Sequence, residues 1–306
     1  MRHSPTAIGA LLAAIALIAT GVVVFRGPRP APPRVPGGSP LRVVSLAPSV
    51  TEMLFGLGVG DALVGVTDCC DWPSEAKRIE CVGEFGRPNI EKLLAVSPDL
   101  VLAAGLPRND LVRILSDHGI PLLDVSVRNI DEVLAAFQRV GQAVGRSERA
   151  AELVAGMQTE LAGIAAEQDP MFCQQRPRVF VELGDNPLTT AGGTSFLDDL
   201  ITRAGGVNVA HDVPQAYFQV SPEKVLEWNP DVIIVTEMTP GSDRIASVSG
   251  RIGWADVAAV KHGRIISDIS ADLLFRPGPR LVDAVKALAR RLRETSPGSE
   301  NHGSGG

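Results

Sequence analysis

The stretch EKLLAVSPDLVLAAG occupies Glu91–Gly105, and a related stretch, EKVLEWNPDVIIVTE, occupies Glu223–Glu237. Both begin with Glu-Lys, have Leu at the fourth position, and reach Pro-Asp at the eighth and ninth positions before an apolar run. The second copy follows the first at one constant offset, without insertion or deletion. A single copy is an ordinary helix, proline and strand sequence, but two copies in phase indicate an internal repeat and hence a chain of two related halves.

Strands and helices alternate around both copies of the repeat. Apolar strands are predicted at Arg42–Pro48 and Leu100–Gly105 in the first half, and at Arg176–Gly184 and Asp231–Glu237 in the second. Segments with helical patterns of roughly ten residues separate such strands, which is typical of βαβ units and parallel sheets. Each half is therefore predicted to be an open α/β lobe.

The two halves are joined by Ile130–Glu167, which is almost continuously helical in pattern, with Gly141 and Gly145 as soft interruptions. We therefore predict an α/β protein of two Rossmann-like lobes with mainly parallel sheets, joined by one long backbone helix. Ligands of such sheets bind outside the carboxyl ends of the strands, here between the lobes. The predicted boundaries are 41–145 for the first lobe, 146–170 for the connecting helix, 171–294 for the second lobe and 295–306 for a disordered tail.

The segment that precedes Leu41 has a different character from the rest of the chain. Ala7–Phe25 is a run of nineteen uncharged residues, followed by Arg26 and then by the Pro- and Gly-rich segment 27–40. As a helix the run would be about 28 Å long, close to the hydrocarbon thickness of a bilayer. Residues 1–26 are predicted to be a signal peptide or an uncleaved membrane anchor, and 27–40 a linker, which places the body in the periplasm or at the cell surface.

The charge of the body argues against nucleic acid as a partner. The formal net charge is −6, and four of the 29 basic side chains lie before Leu41, which leaves 25 basic against 35 acidic side chains. No basic stripe that would follow a phosphate backbone is present. The chain also lacks the usual short motifs of nucleotide-binding proteins, serine hydrolases and zinc proteases, so an enzyme is the least favoured class.

The four cysteines are Cys69, Cys70, Cys81 and Cys173. Disulfides persist outside the cytoplasm, so we predict a bond from Cys69 or Cys70 to Cys81, with the choice between the adjacent pair left open. A metal site is the weaker alternative, because the spacing is not Cys-x-x-Cys and no His lies nearby. The role of Cys173 is left open.

Five phrases of the body together resemble one protein family. The resemblance is to the helical-backbone periplasmic binding proteins that deliver cobalamin, haem or ferric siderophores to ABC importers, and it runs from about Leu41 to Glu294. The phrases are RVVSLAPSVTEMLFGLGVGDALVGVT, VGEFGRPNIEKLLAVSPDLVLA, FLDDLITRAGGVNVA, VSPEKVLEWNPDVIIV and WADVAAVKHGRI.

The resemblance implies an extracytoplasmic substrate-binding protein, most similar to the cobalamin-binding members. It implies a corrinoid ligand, an ABC permease dimer with its ATPase subunits as partner, and no cofactor beyond the cobalt or iron of the ligand. In cobalamin-binding members a Glu on each lobe pairs with Arg residues of the transporter, and the matching residues are Glu91 and Glu223. Stabilisation of their own helix starts by the helix dipole is the alternative role, and it does not exclude docking. A ferric-siderophore or haem protein of the same fold, or a membrane-tethered ligand sensor, is the alternative.

The candidate ligand-binding residues lie in loops after the strands: two just before each copy of the repeat, and three more in the segment DLLFRPGPR. Cys69 stands where the best-known cobalamin binders have an aromatic residue, and Phe85 and Leu273 stand where they have Trp. The pocket is thus less aromatic, and Arg87, Arg276 and Tyr217 would also suit a ferric siderophore, while Tyr217 is the candidate axial ligand of a haem. Ordinary packing is the alternative role for each residue. The full set of candidates is Phe85, Arg87, Tyr217, Phe218, Leu273, Phe275 and Arg276.

Overall fold

The structure is a computed structural model, and it describes residues 40–105, 109–168, 176–236 and 244–294. The apolar run at 7–25, the tail at 295–306 and Cys173 lie outside these ranges. Within them, no helix combines the length and the apolar character needed to cross a membrane.

The first half contains a four-stranded parallel sheet with the order β2-β1-β5-β6. Its central strands are wholly buried and, apart from Ser45, apolar, as expected of a parallel sheet covered on both faces. A short antiparallel hairpin, β3-β4, precedes the first copy of the repeat. The strands are β1 (Val43–Ser45), β2 (Leu63–Val66), β3 (Gly83–Glu84), β4 (Arg87–Pro88), β5 (Leu100–Ala103) and β6 (Leu122–Asp124).

The second half repeats this arrangement with a parallel sheet of order β10-β7-β12-β13. A three-stranded antiparallel sheet, β11-β9-β8, precedes the second copy of the repeat. The strands are β7 (Arg178–Glu182), β8 (Gly184–Asp185), β9 (Leu188–Ala191), β10 (Val207–Asn208), β11 (Tyr217–Gln219), β12 (Val232–Val235) and β13 (Ile265–Ile266).

The helices cover the sheets and join the halves. Short 3-10 helices occur at Gly60–Ala62, Ser74–Arg78 and Trp254–Asp256. The α-helices of the described ranges are α1 (Pro48–Gly56), α2 (Ile90–Ala95), α3 (Asn109–Asp117), α4 (Ile130–Ala143), α5 (Ser147–Ala166), α6 (Phe196–Arg203), α7 (Pro222–Trp228), α8 (Arg244–Ser249), α9 (Ala258–Lys261), α10 (Ala271–Phe275) and α11 (Leu281–Glu294).

The internal repeat is visible in the backbone of the two halves. The side chains of Asn89 and Ser221 cap α2 and α7 at equivalent positions, each accepting a hydrogen bond from the backbone N–H three residues on. Ser97 and Asn229, which are equivalent in the repeat, have φ angles of 43° and 44° and end the two helices. These are the two non-glycine residues with positive φ in the described ranges. Because such a conformation is rare, its occurrence at equivalent positions supports the internal repeat.

The aspartate of each Pro-Asp pair is hydrogen-bonded to the beginning of the first strand of its half, β1 or β7. Asp99 accepts a hydrogen bond from the backbone N–H of Arg42 at 2.9 Å, and its own N–H donates to the Arg42 carbonyl at 2.8 Å. Asp231 makes the same two bonds to Arg178, at 2.9 and 2.8 Å. The predicted α/β fold with two repeated parallel sheets is therefore confirmed.

The segment Ile130–Glu167 contains two packed helices, and the second, α5, is the long helix that joins the two halves. α4 ends before Gly145, which has a φ of 66°, and α5 then continues for 20 residues, or about 30 Å. A methyl group on Gly141 would lie 2.5 Å from Cβ of Ala150, so glycine permits close approach of the two helices. The glycines predicted as soft interruptions therefore mark a helix end and a helix contact.

The hydrophobic core is continuous from one half to the other. One cluster of buried residues includes Val43 and Leu102 from the first sheet, Met157 from α5, and Val181 and Ile234 from the second sheet. A core shared across the connecting helix resists large relative movement of the lobes, because movement would expose apolar surface.

Candidate functional site

The two hairpins that precede the repeated helices present aromatic side chains at equivalent positions. Phe85 lies at the turn between β3 and β4 and is 53% exposed. Tyr217 begins β11, is separated from Phe85 by the same offset that separates Glu223 from Glu91, and is 51% exposed. The backbone N–H of Phe85 donates to the Asp68 carboxylate at 3.1 Å, which holds the first hairpin in place. Each half thus carries one half-exposed ring before its repeated helix.

Tyr217 is supported by a closely packed glycine turn. It pairs with Ala191 of β9, and Gly192 donates to the neighbouring carbonyl of Ala216 at 3.0 Å. A methyl group on Gly192 would meet both the Gln215 carbonyl and the ring of Phe218, so glycine lets this ring pack on the backbone. Desolvation of its side chain by the groups packed around it raises the pKa of the Tyr217 phenol. The phenol, which is neutral at physiological pH even at its ordinary pKa, is thus harder to deprotonate.

Arg276 is committed to an ion-pair network within the chain. Its guanidinium lies 2.5 Å from Asp71, 2.8 Å from Asp272 and 3.5 Å from Glu52, and its side chain is 13% exposed. Burial acts to lower the pKa of Arg276, but the three carboxylates raise it overall. The residue predicted to contact ligand therefore links the second half to the first, since Glu52 and Asp71 belong to the first half.

Glu52 is the buried centre of this network. It is 2% exposed and accepts two hydrogen bonds from the guanidinium of Arg280, at 2.9 and 2.6 Å. The other side of Arg280 lies over the ring of Trp72, with its guanidinium carbon 4.9 Å from the ring centroid. Both oxygens of the buried Glu52 carboxylate thus accept hydrogen bonds, and the face of the Trp72 ring covers the Arg280 guanidinium.

The remaining ligand-binding candidates are placed differently from one another. Arg87 is exposed on β4, and Phe218 is partly buried against Gly192. Leu273 and Phe275 are partly buried on α10 and pack against the main hydrophobic cluster, so part of each side chain serves the core. The predicted set thus divides into exposed rings, an exposed arginine and residues engaged in packing or ion pairs.

Glu91 and Glu223 occupy the first turns of α2 and α7 and are both exposed. In the part of the chain that the structure describes, neither takes part in an ion pair. The pKa of the Glu223 carboxyl is lowered by its own backbone N–H and by the Ser221 hydroxyl, so this group is charged at neutral pH. Both side chains are thus open to an external cation.

The predicted disulfide does not form in the structure, where Cys69, Cys70 and Cys81 are free thiols. Cys70 is buried and its sulfur lies 3.1 Å from the Thr51 hydroxyl, so it points into the core. Cys69 donates to Asp68 and Cys81 is exposed on the surface. The prediction was wrong because short separation along the chain does not fix the direction of the side chains. Burial, followed by the hydrogen bond and charge of Asp68, raises the pKa of the Cys69 thiol.

Sequence reasoning missed Glu52, Arg280 and two further polar clusters. Asp198 is buried, accepts from Asn208 and contacts Nδ1 of His211 at 3.0 Å. Glu182 is wholly buried at the end of β7, where Arg251 binds it at 2.7 and 2.8 Å. One signal was available: an acid in the apolar helix segment VTEMLFG requires a cation if it is buried. No three His, Cys, Asp or Glu side chains of the described ranges come together as a metal site.

Two repeated α/β lobes with a backbone helix between them define a two-lobed ligand-binding protein. A family model described as "Periplasmic binding protein" matches residues 43–270. The chain is 33% identical over 258 residues to an uncharacterized ABC transporter substrate-binding lipoprotein, YvrC, of Bacillus subtilis, covering 83% of this chain and 80% of the relative. It is 32% identical over 265 residues to the vitamin B12-binding protein of Pectobacterium carotovorum, covering 86% and 92%.

A solved structure with the same fold is the periplasmic heme-binding protein RhuT from Roseiflexus sp. RS-1 in its apo form. It has a TM-score of 0.71 and 27% identity, with 83% of this chain and 98% of that chain covered. The present chain belongs to the periplasmic binding protein family. It is thus a substrate-binding protein of an ABC importer, in the group that serves vitamin B12, siderophores and haem, and works with a permease and its ATPase. This is a binding and transport family rather than an enzyme family.

Proposed function

We propose that the protein captures a corrinoid between its two lobes and delivers it to an ABC permease. The observation that carries this proposal is the pair of half-exposed rings, Phe85 and Tyr217, at equivalent places before the repeated helices. Aromatic faces on both lobes suit a broad, rigid macrocycle, because they bury much apolar area at little cost in side-chain entropy. Similarity to a vitamin B12-binding protein over most of both chains supports the same ligand class.

Haem is the second candidate, favoured by the likeness to a heme-binding protein of known structure. Tyr217 would be its axial ligand, and it would have to bind ferric iron as a phenolate. The desolvation that raises the pKa of Tyr217 opposes loss of the phenol proton. Stacking on a corrinoid leaves the phenol proton in place, whereas axial ligation of haem requires its loss.

The proposal includes docking through Glu91 and Glu223. Two exposed carboxylates on repeated helices match a permease dimer that presents the same basic group twice. Arginine would be the natural partner, because its planar guanidinium binds a carboxylate through two parallel hydrogen bonds. The connecting helix α5 and the continuous core predict that the lobes close only slightly around the ligand.

The test is isothermal titration of the purified protein with cobalamin, ferric haem and a ferric siderophore. Cobalamin is expected to bind once per chain, and Phe85→Ala and Tyr217→Ala should each weaken it about tenfold or more, since burying an aromatic ring contributes about 1.5–3 kcal/mol. Val112→Ala is the matched control, because Val112 is 43% exposed on α3 and is not one of the candidate ligand-binding residues. If cobalamin gives no heat while haem binds and loses affinity in Tyr217→Phe, the haem alternative replaces the corrinoid.

A further inference from the structure

Two exposed apolar side chains lie next to the repeated helix of the second half. Ile252 is 100% exposed and Leu226 is 37% exposed. Leu226 lies against the turn that carries Ile252, because its Cδ1 is 3.6 Å from the place that a Cβ atom on Gly253, the residue after Ile252, would occupy. Scattered exposed apolar residues are common, but adjacent ones on a fixed surface are a feature of interaction sites.

The turn that carries Ile252 is held on both sides. Arg251 makes two hydrogen bonds to the buried carboxylate of Glu182, at 2.7 and 2.8 Å. Trp254 is completely buried, and its ring lies 4.7 Å from the Arg251 guanidinium carbon. Gly253, with a φ of 82°, completes the turn between them. Ile252 is therefore presented to solvent by a rigid turn, so ordering it against a partner would cost little.

The exposed face of α7 places acidic residues beside this apolar surface. Glu223, Leu226 and Glu227 follow at intervals of three and four residues, so they share one face, while Val225 is buried on the opposite face. Lys224 pairs with Glu227 at 2.9 Å and offsets its charge, whereas Glu223 has no such partner among the described residues. The surface formed by Leu226 and Ile252 is thus an apolar centre next to one uncompensated carboxylate.

We propose that Leu226 and Ile252 form the apolar part of the contact between the second lobe and the permease, with Glu223 at its edge. The proposal rests on the proposed function, since it extends the docking surface around Glu223. The permease segment that fits would carry an apolar side chain next to an arginine or lysine. A second copy of this chain fits less well, because two such surfaces would bring like charges together.

The repeat supplies a comparison within the same molecule. Leu94 stands at the position of Leu226 but is only partly exposed and packs against the core of the first half, and Ala95 stands at the position of Glu227. The first lobe therefore offers Glu91 without an equivalent apolar neighbour on its helix. Docking on the second lobe is expected to depend on apolar contact, and docking on the first lobe mainly on charge.

The test measures binding of the ligand-loaded protein to its own permease–ATPase complex in nanodiscs by surface plasmon resonance. Ile252→Ser and Leu226→Ser should each weaken docking roughly ten- to hundredfold, since each loses the burial of one aliphatic side chain. Val112→Ser, which alters another exposed apolar residue, should leave docking unchanged. Ligand affinity by calorimetry and the melting temperature should be unchanged in Ile252→Ser, because that side chain is fully exposed.

The outcomes separate this inference from the function on which it rests. If Glu223→Gln weakens docking but both serine variants match Val112→Ser, the apolar contact is refuted and docking through the glutamates stands. If the wild-type protein does not bind the complex at all, the proposed function fails together with this inference. If sedimentation shows that wild-type protein dimerises and Ile252→Ser does not, the surface serves self-association and the inference is overturned.

Discussion

Replacing Glu52 by Gln tests whether the buried ion-pair network holds the two halves together. Glu52 lies on α1, accepts both hydrogen bonds from Arg280 and stands 3.5 Å from Arg276. Both arginines come from the last part of the chain, far from Glu52 in sequence. The substitution keeps the size and shape of the side chain but removes the charge, so its effect reports electrostatics rather than packing.

The expected loss is about 2–3 kcal/mol in the free energy of unfolding, less than the typical cost of breaking a buried ion pair. Removing one partner of such a pair costs about 3–5 kcal/mol, because the other charge stays buried without compensation. Here the loss is smaller for two reasons. Arg276 keeps Asp71 and Asp272, and Arg280 is 20% exposed and remains over the ring of Trp72. The Gln carbonyl also accepts one hydrogen bond from Arg280.

The assay is urea unfolding followed by circular dichroism, with Glu160→Gln as the matched control. Glu160 pairs with Lys286 between α5 and α11, and both side chains are about half exposed. A pair of that kind contributes about 0–1 kcal/mol. If Glu52→Gln and Glu160→Gln lower the stability equally, the reasoning that burial makes the Glu52 network strong would be refuted.

Four further outcomes follow from particular residues. Burial acts to raise the pKa of Asp71, but its arginine partner lowers it overall, so Asp71→Asn should cost stability at about pH 7 and cost progressively less as the pH falls through the lowered folded-state pKa, in urea titrations at a series of pH values. Alkylation by iodoacetamide should modify Cys81 in the native protein and Cys70 only after unfolding; a native disulfide between them in mass spectra would contradict this. Gly193→Ala should destabilise the fold, because the new methyl would overlap a backbone carbonyl, whereas Gly156→Ala in α5 meets open space and should be neutral or stabilising by up to about 1 kcal/mol. Solution scattering with and without ligand should show little change in the radius of gyration, and a change of several ångströms would count against the shared core as a restraint on closure.

The fold could be predicted because its determinants are local and occur twice. Caps at Asn89 and Ser221, and the Pro-Asp turn that begins each central strand, are short-range features that the sequence displays directly. The end of α4 at Gly145 is local too, but a glycine inside a helical pattern is compatible with a break, a contact or neither. Only the packing of α4 on α5 decides which of these occurs.

The candidate site was harder to predict from the sequence, because its hydrogen bonds and ion pairs join residues that are far apart in the chain. Arg276 was predicted to bind ligand, and nothing adjacent to it in sequence shows that Asp71, in the other half of the chain, is its partner. The thiol of Cys70 likewise turns inward because Thr51 and Thr67 lie beside it in space. Patterns along the chain identify which residue types are available, whereas the pairing of charges and thiols depends on how the halves meet.

The two copies of the repeat differ in a way that separates the requirements of the fold from those of binding. Five of the fifteen positions are identical, and the fold accounts for the Pro-Asp pair, since Asp99 and Asp231 tie their strands to the sheet. The helix dipole favours an acid in the first turn of each helix, but both glutamates are exposed and also open to an external partner. A symmetric permease dimer would select the same residue in both lobes, whereas an asymmetric ligand would select different ones, such as Phe85 and Tyr217. The identical glutamates therefore support the proposal of docking to the permease. The different rings, Phe85 and Tyr217, support the proposal of ligand binding.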